Sequence, residues 1–497
     1  MDNIKSVVSL LSKAELEEFE HFLTRKKTRR ARKDTSLLDF LKGDRSEAAA
    51  LKKNANAYHA LRNRLVKKII QFISTKRIEE DLSGSTVIWA YTNFAEFLLE
   101  KGNEKLGWKY LLKSEEMAIE NQLFDLLNMI LSLQLLYAQS EYAPPLKEII
   151  LKKETSRKLH VQEDNAVMAY ALVKERFMEM KISGDYINFQ TVVDHILERF
   201  DLRQVVIERP KILYGLLEIV RDLMFSKKDF QSYEPFIVSY YQQADFTLNK
   251  RNHIYKLKIL YLLAHVLYRN RKFTQCMKYV AEMEEELDRF DGAYENHFKG
   301  KVILLKAAIK AYSGGVSDSI KILEEGLESE LLDNDIIKAK LNLVFYNSLL
   351  EKNDEALEWL NRLNHTEKWY NKKLGKEWVL KKNVMEIMLH CDLGNAELAL
   401  SRIRSVQRNF SSFLKQPLYK RAADFISLVK KMIEKPMLKE DNDFMGKVEK
   451  KLVTKPEEYE DLQAMSFYAW LRARLRNKKY IDSLHETVKE TAQGMVY

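Results

Sequence analysis

From Thr86 to the C-terminus, helix-breaking residues recur on a schedule. They are Gly102-Asn103, Pro144-Pro145, Gly184-Asp185, Lys228-Asp229, Arg271-Lys272, Gly314-Gly315, Asn353-Asp354, Gly394-Asn395, Pro436 and Asn477-Lys478. Successive gaps are 42, 40, 44, 43, 43, 39, 41, 42 and 41 residues. Turn residues placed by chance would scatter far more widely, so the spacing reads as a structural repeat of about 42 residues. Between breakers the apolar residues keep helical spacing. Leu260, Leu263, Ala264 and Leu267 fall at i, i+3, i+4 and i+7; Asn270-Arg271-Lys272 interrupts; and Phe273, Cys276, Met277, Val280 and Leu287 resume the pattern. Two amphipathic helices joined by so short a turn lie antiparallel, and each pair leaves a face that the next pair must cover.

Composition agrees. Gly (15) and Pro (7) are scarce in a chain of 497 residues, as helix interiors demand. The expectation is an all-α chain: a small helical module over residues 1–82, then about ten stacked helical hairpins over 83–497.

The hairpins resemble the tetratricopeptide repeat, in which small residues let paired helices approach and a Gly-Asp-aromatic turn joins them. Tyr91, Phe94, Ala95 and Leu98 lead into Gly102-Asn103, with Gly107 and Leu111 following. Ser183-Gly184-Asp185-Tyr186 is the best turn match, and Leu393-Gly394-Asn395 leads to Ala399, Ile403 and Val406. The resemblance covers roughly residues 86–490 and implies a right-handed α-solenoid. Its period departs from the family's, which is about 34 residues, and falls in the range of HEAT and armadillo repeats. Longer helices account for the difference, and HEAT-like packing stays open.

Charge is concentrated at the start. Residues 1–80 hold 19 Lys/Arg and 11 Asp/Glu, whereas the rest of the chain is nearly balanced at 63 and 61. Seven cations, Arg25, Lys26, Lys27, Arg29, Arg30, Arg32 and Lys33, fall within nine residues. A helix expected from about Asn56 to Ile73 adds Arg62, Arg64, Lys67 and Lys68 around the apolar positions Leu61, Leu65 and Ile69. Such a cluster can neutralise phosphates. It reads equally as a solvated loop, a contact for an acidic protein or a membrane-surface patch.

No catalytic signature is present. Lys299-Gly300-Lys301 lacks the upstream Gly and the following Ser/Thr of a phosphate-binding loop, and no His-Glu-x-x-His or paired-Cys metal spacing occurs. The expectation is no catalytic residue, no cofactor and no metal. Two cysteines, Cys276 and Cys391, give no disulfide framework and suit a reducing compartment. The first residues lack the features of a secretory signal, and no window is apolar enough to span a membrane, so the expected location is cytoplasmic.

By analogy with tetratricopeptide repeats, the first helix of each pair lines a groove, and its residues off the apolar stripe meet the ligand. That analogy selects Lys174 and Lys181; Lys258, Tyr261, His265 and Tyr268; and Tyr468 and Arg472. The leading reading is a non-enzymatic scaffold that holds a protein or peptide. The alternative is a nucleic-acid-associated regulator, with a polyanion-binding N-terminal module and a ligand-sensing solenoid.

Overall fold

A computed structural model describes residues 13–25, 29–42, 55–80, 84–183, 189–227, 229–247, 250–289, 294–416, 419–452 and 462–493, with Ile4, Val8 and Leu11. Among the described residues there are 25 α-helices and no strand. The chain divides into two compact units, Met1–Val161 and Gln162–Tyr497.

The first unit begins with α1 (Lys13–Thr24), α2 (Arg29–Lys42) and α3 (Ala55–Glu80). They bury Phe19, Leu23, Leu37, Leu38 and Leu65 in a core of their own. The rings of Phe19 and Phe22 both meet Phe72, at 5.2 and 5.8 Å. α4 (Ser85–Glu100) and α5 (Glu104–Glu120) then form a hairpin, followed by α6 (Phe124–Leu136). Gly107 lies where these two helices touch. A Cβ there would stand 2.7 Å from Leu99 Cγ, so the backbones approach only because this residue has no side chain.

The next helix, α7 (Leu146–Ser183), runs unbroken for 38 residues. A period of about 42 residues places a turn between hairpins inside it. The sequence between Leu146 and Ser183 contains neither Gly nor Pro, and nothing stops the helix there. The boundary between the two compact units falls within α7.

In the second unit α8 (Phe189–Arg199) and the short α9 (Arg203–Glu208) precede α10 (Pro210–Lys227) and α11 (Phe230–Gln243). Pairs of neighbouring helices follow: α12 (Lys250–Arg269) with α13 (Phe273–Asp288), α14 (Glu295–Tyr312) with α15 (Val316–Leu327), and α16 (Asp333–Leu349) with α17 (Asn353–Asn361). An additional helix, α18 (Glu367–Leu374), is inserted before α19 (Lys376–Asp392) and α20 (Ala396–Asn409). The last elements are α21 (Ser411–Leu414), α22 (Lys420–Glu434), a 3-10 turn (Pro436–Glu440), α23 (Asn442–Leu452), α24 (Leu462–Arg476) and α25 (Tyr480–Gln493).

Several of the turns share one geometry. Gly314 has φ 100°, its N–H meets the Ala311 carbonyl, and the N–H of Gly315 reaches back to Lys310 at 2.9 Å. This is the Schellman motif, which satisfies the helix's last carbonyls. It recurs at Gly102 and Gly394, and with non-glycine residues at Arg271 (φ 62°) and Glu351 (φ 59°). Gly184 and Asp185 lie outside the described residues.

First helices also touch one another. α12 packs on α10 and α14, and α16 packs on α14 and α19. That double covering explains why α16 buries Ile337, Leu341, Leu343, Val344, Phe345 and Leu349, positions all around the helix. The second helices, such as α15, bury a single stripe.

Candidate functional site

α12 turns Leu257, Leu260, Leu263, Ala264 and Leu267 inward and buries Ile259, Leu262 and Val266 on another side. Among its half-open residues, Tyr255, Lys258, Tyr261, His265 and Tyr268 form one strip at helical spacing. Their rings form a file. Tyr261 and His265 have centroids 5.8 Å apart, His265 and Tyr268 6.4 Å, and Tyr268 then meets Tyr312 at 6.2 Å. The file ends in the core, where Tyr312 meets Phe345 and Phe345 meets Tyr480.

At its other end the strip meets α10. Lys258 Nζ lies 4.9 Å from the Tyr214 ring centroid and 5.1 Å from that of Tyr255, so one ammonium serves two aromatic faces. Tyr214 and Tyr255 stand 6.0 Å apart, and the Tyr214 hydroxyl donates to Glu218 at 2.8 Å. Burial, reinforced by Glu218, raises the Tyr214 hydroxyl above its ordinary pKa. Burial likewise raises Tyr261, with the Asp335 carboxylate adding to it. Both phenols are therefore neutral donors at physiological pH. The strip offers ring faces, hydroxyls and one cation, a combination common in peptide recognition.

The structure thus brings together Lys258, Tyr261, His265 and Tyr268 of the expected groove residues, and adds Tyr214 and Tyr255. Tyr255 could have been found from the spacing of α12 alone, whereas Tyr214 joins only because α10 and α12 touch. Lys174 is exposed on α7, and the side chain of Lys181 lies outside the described residues. Tyr468 is not on an open face. It is 8% exposed and packs in the core against Phe425. Arg472 is engaged at the end of its own hairpin, donating from Nη1 and Nη2 to the two Glu490 oxygens at 2.8 and 3.0 Å.

In the N-terminal module the named cations separate into two groups. Asp34 is fully buried, and Arg64 and Lys68 close on it at 2.7 and 3.0 Å. These two belong to the module's packing. Arg25 is exposed beside the Phe22 ring, Lys33 and Lys67 are exposed, and Arg62 is half-buried. Arg29, Arg30 and Arg32 lie in the opening turns of α2, a helix with no acidic residue in its first turn. Lys26 and Lys27 lie outside the described residues.

Among the described residues no group of three or more His, Cys, Asp or Glu is arranged to hold a metal ion, and no helix is long and apolar enough to cross a membrane. Cys276 donates its thiol to the Ala264 carbonyl at 3.0 Å, and burial pushes its pKa up to about 12. That suppresses the nucleophilic thiolate. No protein-family model, curated protein or solved structure matches this chain.

Proposed function

We propose that this protein is a non-enzymatic scaffold, an α-solenoid of stacked hairpins that holds a protein or peptide segment against its first helices. The observation that carries the reading is the half-open strip on α12, with Lys258 seated between Tyr214 and Tyr255 and continued by Tyr261, His265 and Tyr268. Contacts of α10 with α12, α12 with α14, α14 with α16 and α16 with α19 support the stacking, since each first helix is flanked by the next. Aromatic residues on a rigid backbone lose little entropy on binding and commonly anchor interfaces. Two free cysteines agree with a reducing, cytoplasmic setting.

The test is selection from a displayed random-peptide library. The parent chain should enrich a shared sequence pattern. The Tyr214→Ala/Tyr255→Ala variant should lose that pattern while keeping the parent's helical circular dichroism. Enrichment of the same peptides by both would place recognition elsewhere.

A further inference from the structure

The inserted helix α18 departs from the two-helix plan, and its surroundings are chemically unusual. Between Trp359 and Lys382 the sequence holds seven cations, only two acids and three of the chain's six tryptophans. Both acids are engaged. Glu367 pairs with Arg402 at 3.4 Å, and Glu377 takes Lys381 at 3.3 Å and the Tyr419 hydroxyl at 3.2 Å. Lys373 and Lys382 also have carboxylate partners. Arg362, Lys368, Lys372 and Lys376 form no ion pair among the described residues, although Glu358 stands one helical turn before Arg362.

The local fold fixes how these groups are displayed. The Thr366 hydroxyl accepts the Trp369 N–H, capping α18, and Gly375 at φ 86° ends it. Tyr370 turns inward, with its ring 5.0 Å from Trp378, and anchors the helix. Trp369 is left half-buried, with His365 stacked on it at 4.0 Å and 20°. His365 is itself exposed, so the stack ends in a ring that solvent reaches. Lys368 and Lys372 share the next face of α18, one turn apart and exposed. Arg362 lies 4.0 Å over the Trp359 ring at the end of α17.

We propose that the junction of α17, α18 and α19 binds single-stranded nucleic acid, a base extending the Trp369–His365 stack while Arg362, Lys368 and Lys372 meet phosphates. Ring platforms beside unpaired cations suit an unstacked strand, whose bases offer π-faces and whose backbone offers regularly spaced charge. A charged ligand without planar groups would use the lysines and leave the stack idle. Its residues are other than those of the α12 strip and of the N-terminal cluster.

The experiment uses the full chain carrying R29Q, R30Q and R32Q, so that the N-terminal cluster contributes less. Fluorescein-labelled oligo(U) and oligo(dT) are titrated by anisotropy over a range of salt, with heparin as a polyanion that has no bases. Binding of either oligonucleotide supports the site, and their ratio separates RNA from DNA. Adding His365→Ala should weaken binding by about 5- to 100-fold, whereas His365→Phe, which keeps a ring, should retain it. Lys368→Gln with Lys372→Gln should lower the log–log salt slope by about 1.4. Failure of both oligonucleotides to bind at low salt would overturn the proposal. So would an unchanged affinity in His365→Ala with heparin bound equally well, since that marks a base-blind acidic ligand.

Discussion

The Asp392 carboxylate holds the Arg474 guanidinium by two hydrogen bonds, from Nε at 2.7 Å and Nη2 at 2.9 Å, across 82 residues of chain. The same carboxylate accepts Trp470 Nε1 at 2.9 Å, and Arg474 Nη1 reaches Glu351 at 2.9 Å. The final hairpin therefore ties to the ends of α16 and α19 rather than only to its sequence neighbours. Asp392 is almost fully buried and Arg474 partly so, which makes loss of the acid costly. Asp392→Ala should destabilise the second unit by about 2–4 kcal/mol, because Trp470 Nε1 loses its acceptor and Arg474 loses its buried partner. Urea denaturation reads this; a change under about 0.5 kcal/mol would show the bonds to be incidental.

The α4–α5 hairpin offers a local test of close packing. A side chain at Gly107 would press on Leu99 and on the Ala95 carbonyl. Overpacking in Gly107→Leu should cost about 1–3 kcal/mol, offset in part by the gain of up to about 1 kcal/mol from removing a helix-interior glycine. Hydrogen exchange should speed up over residues 85–120. Slower exchange there would mean that the helices can separate without cost.

Much of this architecture was legible in the sequence, because Schellman turns leave residues that stop helices. Glycine at 102, 314 and 394 meets the left-handed φ without strain, and each marks its turn. Glu351 adopts the same conformation without any such signature, so Asn353 marked that turn two residues late. The α12 strip was legible in part. Lys258, Tyr261, His265 and Tyr268 follow one helix's spacing, but Tyr214 joins them only through packing between α10 and α12. Tyr468 misled because α24 is buried around most of its circumference, so a residue off the main stripe still finds a neighbour. Composition could not separate Arg64 and Lys68 from the other cations, because their shared partner Asp34 lies 30 residues from Arg64 in sequence.

That separation makes a prediction. Arg64→Gln and Lys68→Gln should loosen the N-terminal core by uncovering buried Asp34, and protease sensitivity of residues 1–80 should rise. Arg29→Gln, Arg30→Gln and Arg32→Gln together should leave that sensitivity unchanged. On heparin or duplex DNA, the triple variant should flatten the salt dependence by up to about three units of log–log slope. Equal protease sensitivity in both sets would show that Asp34 does not need its cations.

Stability should also depend on pH through a buried cluster at the start of α12. His253 Nδ1 lies 3.0 Å from Glu286, which also receives Lys256 at 2.6 Å and Arg289 at 2.8 Å. Burial lowers the His253 pKa below its ordinary 6.5, with Glu286 opposing. Burial alone would raise Glu286, but Lys256, Arg289 and His253 outweigh it and hold the carboxyl below 4.5. Both groups bind protons less readily folded than unfolded. Their stabilisation is complete above about pH 6.5, falls with His253 below that, and falls further below about pH 4.5 with Glu286. The urea midpoint should drop between about pH 7.5 and 5.5, and His253→Asn should shrink the drop. An equal drop in parent and variant would assign the pH dependence to other groups.

A partner segment held against the α12 strip would lie within reach of a photoreactive side chain placed there. Photo-crosslinking tests this most directly, with benzoylphenylalanine placed at Tyr255 in one full-length chain and at Lys321, exposed on α15, in another. Both are irradiated in the cells that express them. The account predicts a discrete adduct of one mass from position 255, absent at 321 and lost when Tyr214 and Tyr261 are Ala. Adducts of the same mass and yield from both positions, or none from 255, would contradict it.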